Sequence, residues 1–132
     1  MIAARFLAPW PRRLLPRTLK RLRVARVHLR GRGRDLIHWF SEVSGPQNVE
    51  LAVFCDVNVE LRRGRATEYE RTSGKKPRMI DHMRRVMDEK NIDAAAFATP
   101  NHWLALSTIW ASQSGKDVYC EKPGTHKFRE GL

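Results

Sequence analysis

Three apolar runs constrain this chain most: Val49–Cys55, Asp93–Ala98 and Asp117–Cys120. Each stops abruptly at polar residues, and segments of helical periodicity separate them. Near-continuous apolar strands that alternate with amphipathic helices require a parallel sheet covered on both faces. Two weaker strand candidates complete the alternation, Arg23–Leu29 and the short Met79–Ile80. Helices are expected over Gly33–Val43, Glu60–Ser73, from an Asp81 cap to about Lys90, and over His102–Ser114. Leu36, Ile37, Trp39, Phe40 and Val43 mark the apolar face of the first, and Trp103, Leu106 and Trp110 share a face of the last. Gly45-Pro46, Gly74 and Gly115 act as stop signals. The expected fold is α/β, a Rossmann-like doubly wound sheet in three α/β/α layers with strand order 3-2-1-4-5.

At 132 residues the chain fits one domain, long enough to bury roughly two thirds of its unfolded surface. Its net charge of +11 misleads about the whole. Residues 1–34 hold eleven Arg and Lys and no acid, whereas the other 98 residues hold fourteen charges of each sign. Residues 1–22 are therefore read as a basic, disordered extension, with Pro9, Pro11 and Pro16 preventing a long helix. Residues 23–132 form the domain. The extension lacks the apolar core of a secretory signal. Its Arg12-Arg13 pair is followed at once by Leu14-Leu15-Pro16, which disfavours twin-arginine export. A cytoplasmic location is expected, with Cys55 and Cys120 as reduced, buried thiols. Neither cysteine has metal-ligand spacing, and no run is long enough to span a membrane. Nucleic-acid binding would have to rest on the basic arm, where aromatic interleaving is limited to Phe6 and Trp10.

The strand ends carry the chemistry, because open α/β sheets bind ligands at the carboxyl ends of their strands. Gly31-Arg32-Gly33 opens the first helix. Aligned on a G-x-G-x-x-G fingerprint, Gly33 takes the third position, while His28 and Arg30 occupy the first two. Asp56 ends the second strand 23 residues after Gly33, near the spacing at which an acid binds adenosine ribose hydroxyls. A carboxylate there repels a 2′-phosphate, which favours NAD over NADP. Thr99-Pro100-Asn101-His102 forms a strand-to-helix turn in which Asn101 or His102 can cap the helix. Glu121-Lys122-Pro123 leaves the last strand, where a cis X-Pro bond could aim Lys122 into the crevice. A lysine beside a nicotinamide can hold a substrate hydroxyl or share its proton during hydride transfer.

Six segments in order resemble the N-terminal domain of the Gfo/Idh/MocA oxidoreductases. They are Gly31-Arg32-Gly33-Arg34, Cys55-Asp56-Val57, Thr72–Pro77, Asn91–Ala94, Ala98–Trp103 and Gly115–Pro123. The resemblance covers roughly residues 31–132. It implies a Rossmann domain for NAD or NADP, followed in the family by a second α/β domain that binds sugars or polyols and forms the oligomer interface. By the same resemblance, Gly31, Gly33, Asp56, Thr99, Pro100, Asn101 and His102 are cofactor-binding residues. Glu121 and Pro123 border the crevice, and Lys122 matches the lysine that is often catalytic.

The departures shape the expectation. His28 and Arg30 stand where the family has glycine, which puts cofactor affinity at risk. The chain stops before the second domain, so it is expected to be a truncated fragment with little activity alone. The acid-free stretch before Gly31 has the composition of a GC-rich gene read in a shifted frame. A stand-alone nucleotide-binding or regulatory module is the alternative. The sugar-like substrate is expected only in full-length relatives.

Overall fold

A computed structural model describes residues 21–43 and 48–131. Most of the basic extension and the Gly45-Pro46 stop signal lie outside the described residues. The described elements run β1 (Leu22–Val27), α1 (Arg32–Val43), β2 (Val49–Cys55), α2 (Val59–Ser73), β3 (Arg78–Ile80), α3 (Met83–Asp88), β4 (Ala94–Phe97), α4 (Asn101–Gln113) and β5 (Asp117–Cys120), with a 3-10 turn at Phe128–Gly131. Among the described residues the five strands form one parallel sheet in the order β3-β2-β1-β4-β5. This is the Rossmann-like arrangement expected from the alternation. The strand order reverses between β1 and β4, which opens a crevice at their carboxyl ends.

β1 is the central strand, although its sequence is a poor strand candidate. It pairs with β2 over Leu22–Val27 on one side and with β4 over Val24–Val27 on the other, despite Arg23 and Arg26. Long-range pairing overrides weak local preference. Among the described residues the first strand starts at Leu22, next to the expected strand candidate Arg23–Leu29.

The three central strands, β2, β1 and β4, are buried on both faces, and the edge strands β3 and β5 are partly exposed. Ala25, Val27, Val53 and Phe97 meet Val86 of α3 and Leu104 and Ala111 of α4 on one side. Val24, Leu51, Phe54 and Ala96 meet Ile37, Ala66 and Tyr69 on the other. A register shift between Val24 and Ala25, opposite Ala52, lets β2 place Ala52 and Val53 together on the first face.

Several local expectations need correction. α4 buries Leu104, Ser107 and Ala111, and the small side chains of Ser107 and Ala111 allow close approach to the sheet. Trp103 and Leu106 lie on the outer side, more than a third exposed. Trp39 is likewise outside, with the Arg32 guanidinium stacked 4.1 Å from its ring. α3 is capped by His82, whose Nδ1 accepts the Arg84 N–H at 3.2 Å, and it ends at Asp88. Asp81 instead accepts from Arg85 at 2.9 Å. Pro100, not Asn101 or His102, stands at the N-cap of α4 and offers no side-chain cap. α2 ends as expected, on Gly74 at φ +69°, where left-handed backbone suits glycine.

Candidate functional site

The site forms around the turn that joins β1 to α1. His28 follows the strand in a left-handed conformation, φ +65°, and its N–H donates to the Cys55 carbonyl at 2.8 Å. Left-handed backbone costs a side-chain-bearing residue roughly 1–2 kcal/mol, so glycine is the natural occupant of this position. Gly31 is also left-handed, at φ +52°, with open space around it. Gly33 is required for a different reason. A Cβ there would come within 2.9 Å of the His28 carbonyl carbon and closer still to its oxygen. The first turn of α1 thus lies directly on the end of β1, the close approach that the third fingerprint glycine provides.

Asp56, buried at the end of β2, ties this turn to the next. Its Oδ2 accepts the Leu29 N–H at 3.0 Å, and Oδ1 accepts the Asn58 N–H at 2.9 Å. His28 Nδ1 lies 3.6 Å from Oδ2. Burial lowers the His28 pKa; Asp56 opposes this, while Arg26 and Arg30 reinforce it. The imidazole is therefore neutral at physiological pH. The neighbouring Cys55 thiol is pushed up to about 12, mainly by burial, and is chemically quiet.

A cavity of about 440 Å³ opens beside these groups. Asp56, Thr99 and Pro100 line it, together with His28, Arg30 and Asn58. Thr99 Oγ1 is buried without a hydrogen-bond partner. Asn101 and His102 are exposed in the adjoining first turn of α4.

The Glu121-Lys122-Pro123 segment lies at the far side, beyond the end of β5. The Lys122–Pro123 bond is cis, and Lys122 is exposed. The Glu121 carboxylate accepts from Arg32 Nε at 3.2 Å and from the Tyr119 hydroxyl at 3.1 Å. Glu121 thus links the start of α1 to the exit of β5, a connection across 89 residues. Asn58 was missed as a site residue, though its place two residues after Asp56 and before a helical run is a cap signal; it accepts the Leu61 N–H at 2.9 Å.

No described helix is long and apolar enough to cross a membrane. Among the described residues, no group of three or more His, Cys, Asp or Glu could hold a metal ion.

No protein-family model matches the chain. Solved structures do. A myo-inositol 2-dehydrogenase from Lactobacillus plantarum matches at TM-score 0.73 and 26% identity, over 84% of this chain and 31% of that one. An NAD-binding protein from Listeria innocua matches at 0.69 and 28%, over 85% and 29% respectively. A scyllo-inositol dehydrogenase from Lactobacillus casei, solved with NAD(H) and scyllo-inositol, has the same fold at 0.73 and 17%, over 84% and 31%. The chain spans about 30% of the length of these proteins. The covered share exceeds what residues 31–132 alone would make up, in keeping with a domain that includes β1. In sequence motifs and in structure, this chain matches the N-terminal NAD-binding portion of the Gfo/Idh/MocA dehydrogenases.

Proposed function

We propose that these residues form the NAD-binding domain of an oxidoreductase acting on sugars or polyols. The observation that carries this reading is the packing of Gly33 on His28, which sets the start of α1 over the crevice between β1 and β4. The surrounding groups fit the adenosine half of a dinucleotide. Each Asp56 oxygen accepts one N–H and retains a lone pair for a ribose hydroxyl. Thr99 Oγ1 is an unused donor and acceptor beside the cavity. The first turn of α4 has no side-chain cap; the Trp103 N–H donates to the Pro100 carbonyl at 2.9 Å, which leaves the Asn101 and His102 N–H groups for a ligand. Arg30 is exposed, which lets its side chain swing clear of the turn.

In this reading Asp56 binds the ribose and disfavours a 2′-phosphate. Gly31 and Gly33 shape the turn. Thr99, Pro100, Asn101 and His102 border the cofactor from α4, and Pro123 holds the segment beyond β5. Glu121 keeps that segment against α1 through Arg32. The nicotinamide, when bound, supplies the hydride acceptor or donor. Lys122 holds the substrate hydroxyl and exchanges its proton. The likeness to a myo-inositol 2-dehydrogenase and to an NAD-binding protein supports the substrate class and the cofactor. Hydride exchange with a carbinol carbon is proposed for an enzyme that contains such a domain, and cofactor binding for the 132 residues themselves.

Calorimetry on the chain with NADH and NADPH tests the proposal. Saturable NADH binding that exceeds NADPH binding is expected. Absence of binding to either would overturn it.

A further inference from the structure

The middle of β1 carries an arginine with no surface exposure, Arg26. Its Nη1 donates to the carbonyl oxygens of Val27, at 2.9 Å, and of Ala96. Those carbonyls belong to the two strands that flank the crevice. Nε and Nη2 have no partner. Nη2 lies 3.3 Å from the place a Gly33 Cβ would take, directly beneath the first turn of α1. The acid whose charge acts on it, Glu121, is already engaged by Arg32 and Tyr119. Burial lowers the guanidinium to about 10, so it remains charged at neutral pH.

A buried cation without a paired anion is strongly disfavoured. In a dry interior its field is weakly screened and reaches across a turn that has no side chain at Gly33. On the outer side of that turn the start of α1 carries the partial positive charge of the helix, while the Gly33 and Arg34 N–H groups donate to the Arg30 and Gly31 carbonyls at 2.9 Å. Two independent features, the helix start and a buried guanidinium beneath it whose Nε and Nη2 have no partner, thus converge on one spot.

We propose that Arg26 is a positioning residue for a phosphate or pyrophosphate group at the Arg30–Gly33 turn. It attracts the anion through its field, without touching it, where His28 and Arg30 have replaced the glycines that would permit close backbone approach. The inference rests on the dinucleotide-binding reading and adds the residue that supplies the attraction. Adenosine, which lacks phosphate, gains nothing from Arg26.

The test is calorimetry of the full chain with inorganic pyrophosphate, NADH and adenosine, for the native protein, Arg26→Met, Arg26→Gln and Arg26→Lys. Arg26→Gln retains a donor for the strand carbonyls and serves if Arg26→Met fails to fold. Pyrophosphate and NADH affinity should fall about tenfold or more without the charge. Arg26→Lys should recover most of it, and adenosine affinity should stay within about twofold. Equal pyrophosphate and NADH binding by native and neutral variants would overturn the role of Arg26 and leave the dinucleotide reading intact. Arg26-dependent pyrophosphate binding without NADH binding would support Arg26 and overturn the dinucleotide reading. A native chain that binds none of the three would overturn both.

Discussion

Gly33, in the first turn of α1, lies so close over His28 that a Cβ would come within 2.9 Å of the His28 carbonyl carbon. The obstacle is backbone, not the end of a flexible side chain, so the helix must move to admit even a methyl group. Gly31, two residues earlier, has open space around it and needs glycine only for its positive φ.

The two glycines should therefore respond differently to alanine. Gly31→Ala is expected to cost about 1 kcal/mol, the conformational penalty alone. Gly33→Ala should cost at least about 2 kcal/mol, because overpacking against backbone is added. It should also abolish NADH binding, since the helix start is displaced. Urea unfolding and calorimetry on both variants check this, and equal costs would contradict the steric account.

His28 offers a test in pH. Its folded pKa is lowered, chiefly by burial, so the unfolded chain takes up a proton more readily near pH 6.5. Stability contributed by the neutral imidazole is complete above the unfolded pKa and is lost as pH falls through the lowered folded value. His28→Gly should flatten stability in that acidic window. It should also raise stability at pH 7.5 by about 1 kcal/mol through relief of the left-handed backbone. Denaturant midpoints for both proteins between pH 4.5 and 8 provide the measurement.

Asp56 is both an internal acceptor and a specificity element. Removing its carboxylate leaves the Leu29 and Asn58 N–H groups without their acceptor. Asp56→Ala should cost about 1–3 kcal/mol for the unsatisfied groups. Asp56→Asn keeps one oxygen acceptor and should cost less. Both variants should narrow the preference for NADH over NADPH, because the negative charge that repels a 2′-phosphate is gone. Unfolding curves read the first effect and competition calorimetry the second.

Legibility differed from element to element. β2 and β5 coincide with their apolar runs, and α2 stops at Gly74, because period and stop signals act within a few residues. The ends of α3 and α4 were less legible. Asp81 and Asn101 are good capping types, but neighbouring His82 and Pro100 hold the backbone at those starts. β1 was nearly hidden by Arg23, Arg26 and His28. Its place at the centre depends on ladders to β2 and β4, partners that no local window contains. The same holds for Glu121, read as a crevice residue and found also to bind Arg32 from the start of the first helix.

The sequence by itself determined the class of fold, the order of the sheet and the turns that carry the chemistry, because alternation, glycine placement and strand-end residues are encoded along the chain. Tertiary structure alone decided that His28 takes a glycine's backbone conformation, that Asp56 braces two loops, and that Arg26 stays charged under α1 with its Nε and Nη2 donors unpartnered. Those outcomes depend on burial and on atoms brought together from distant segments, and neither is a property of local sequence.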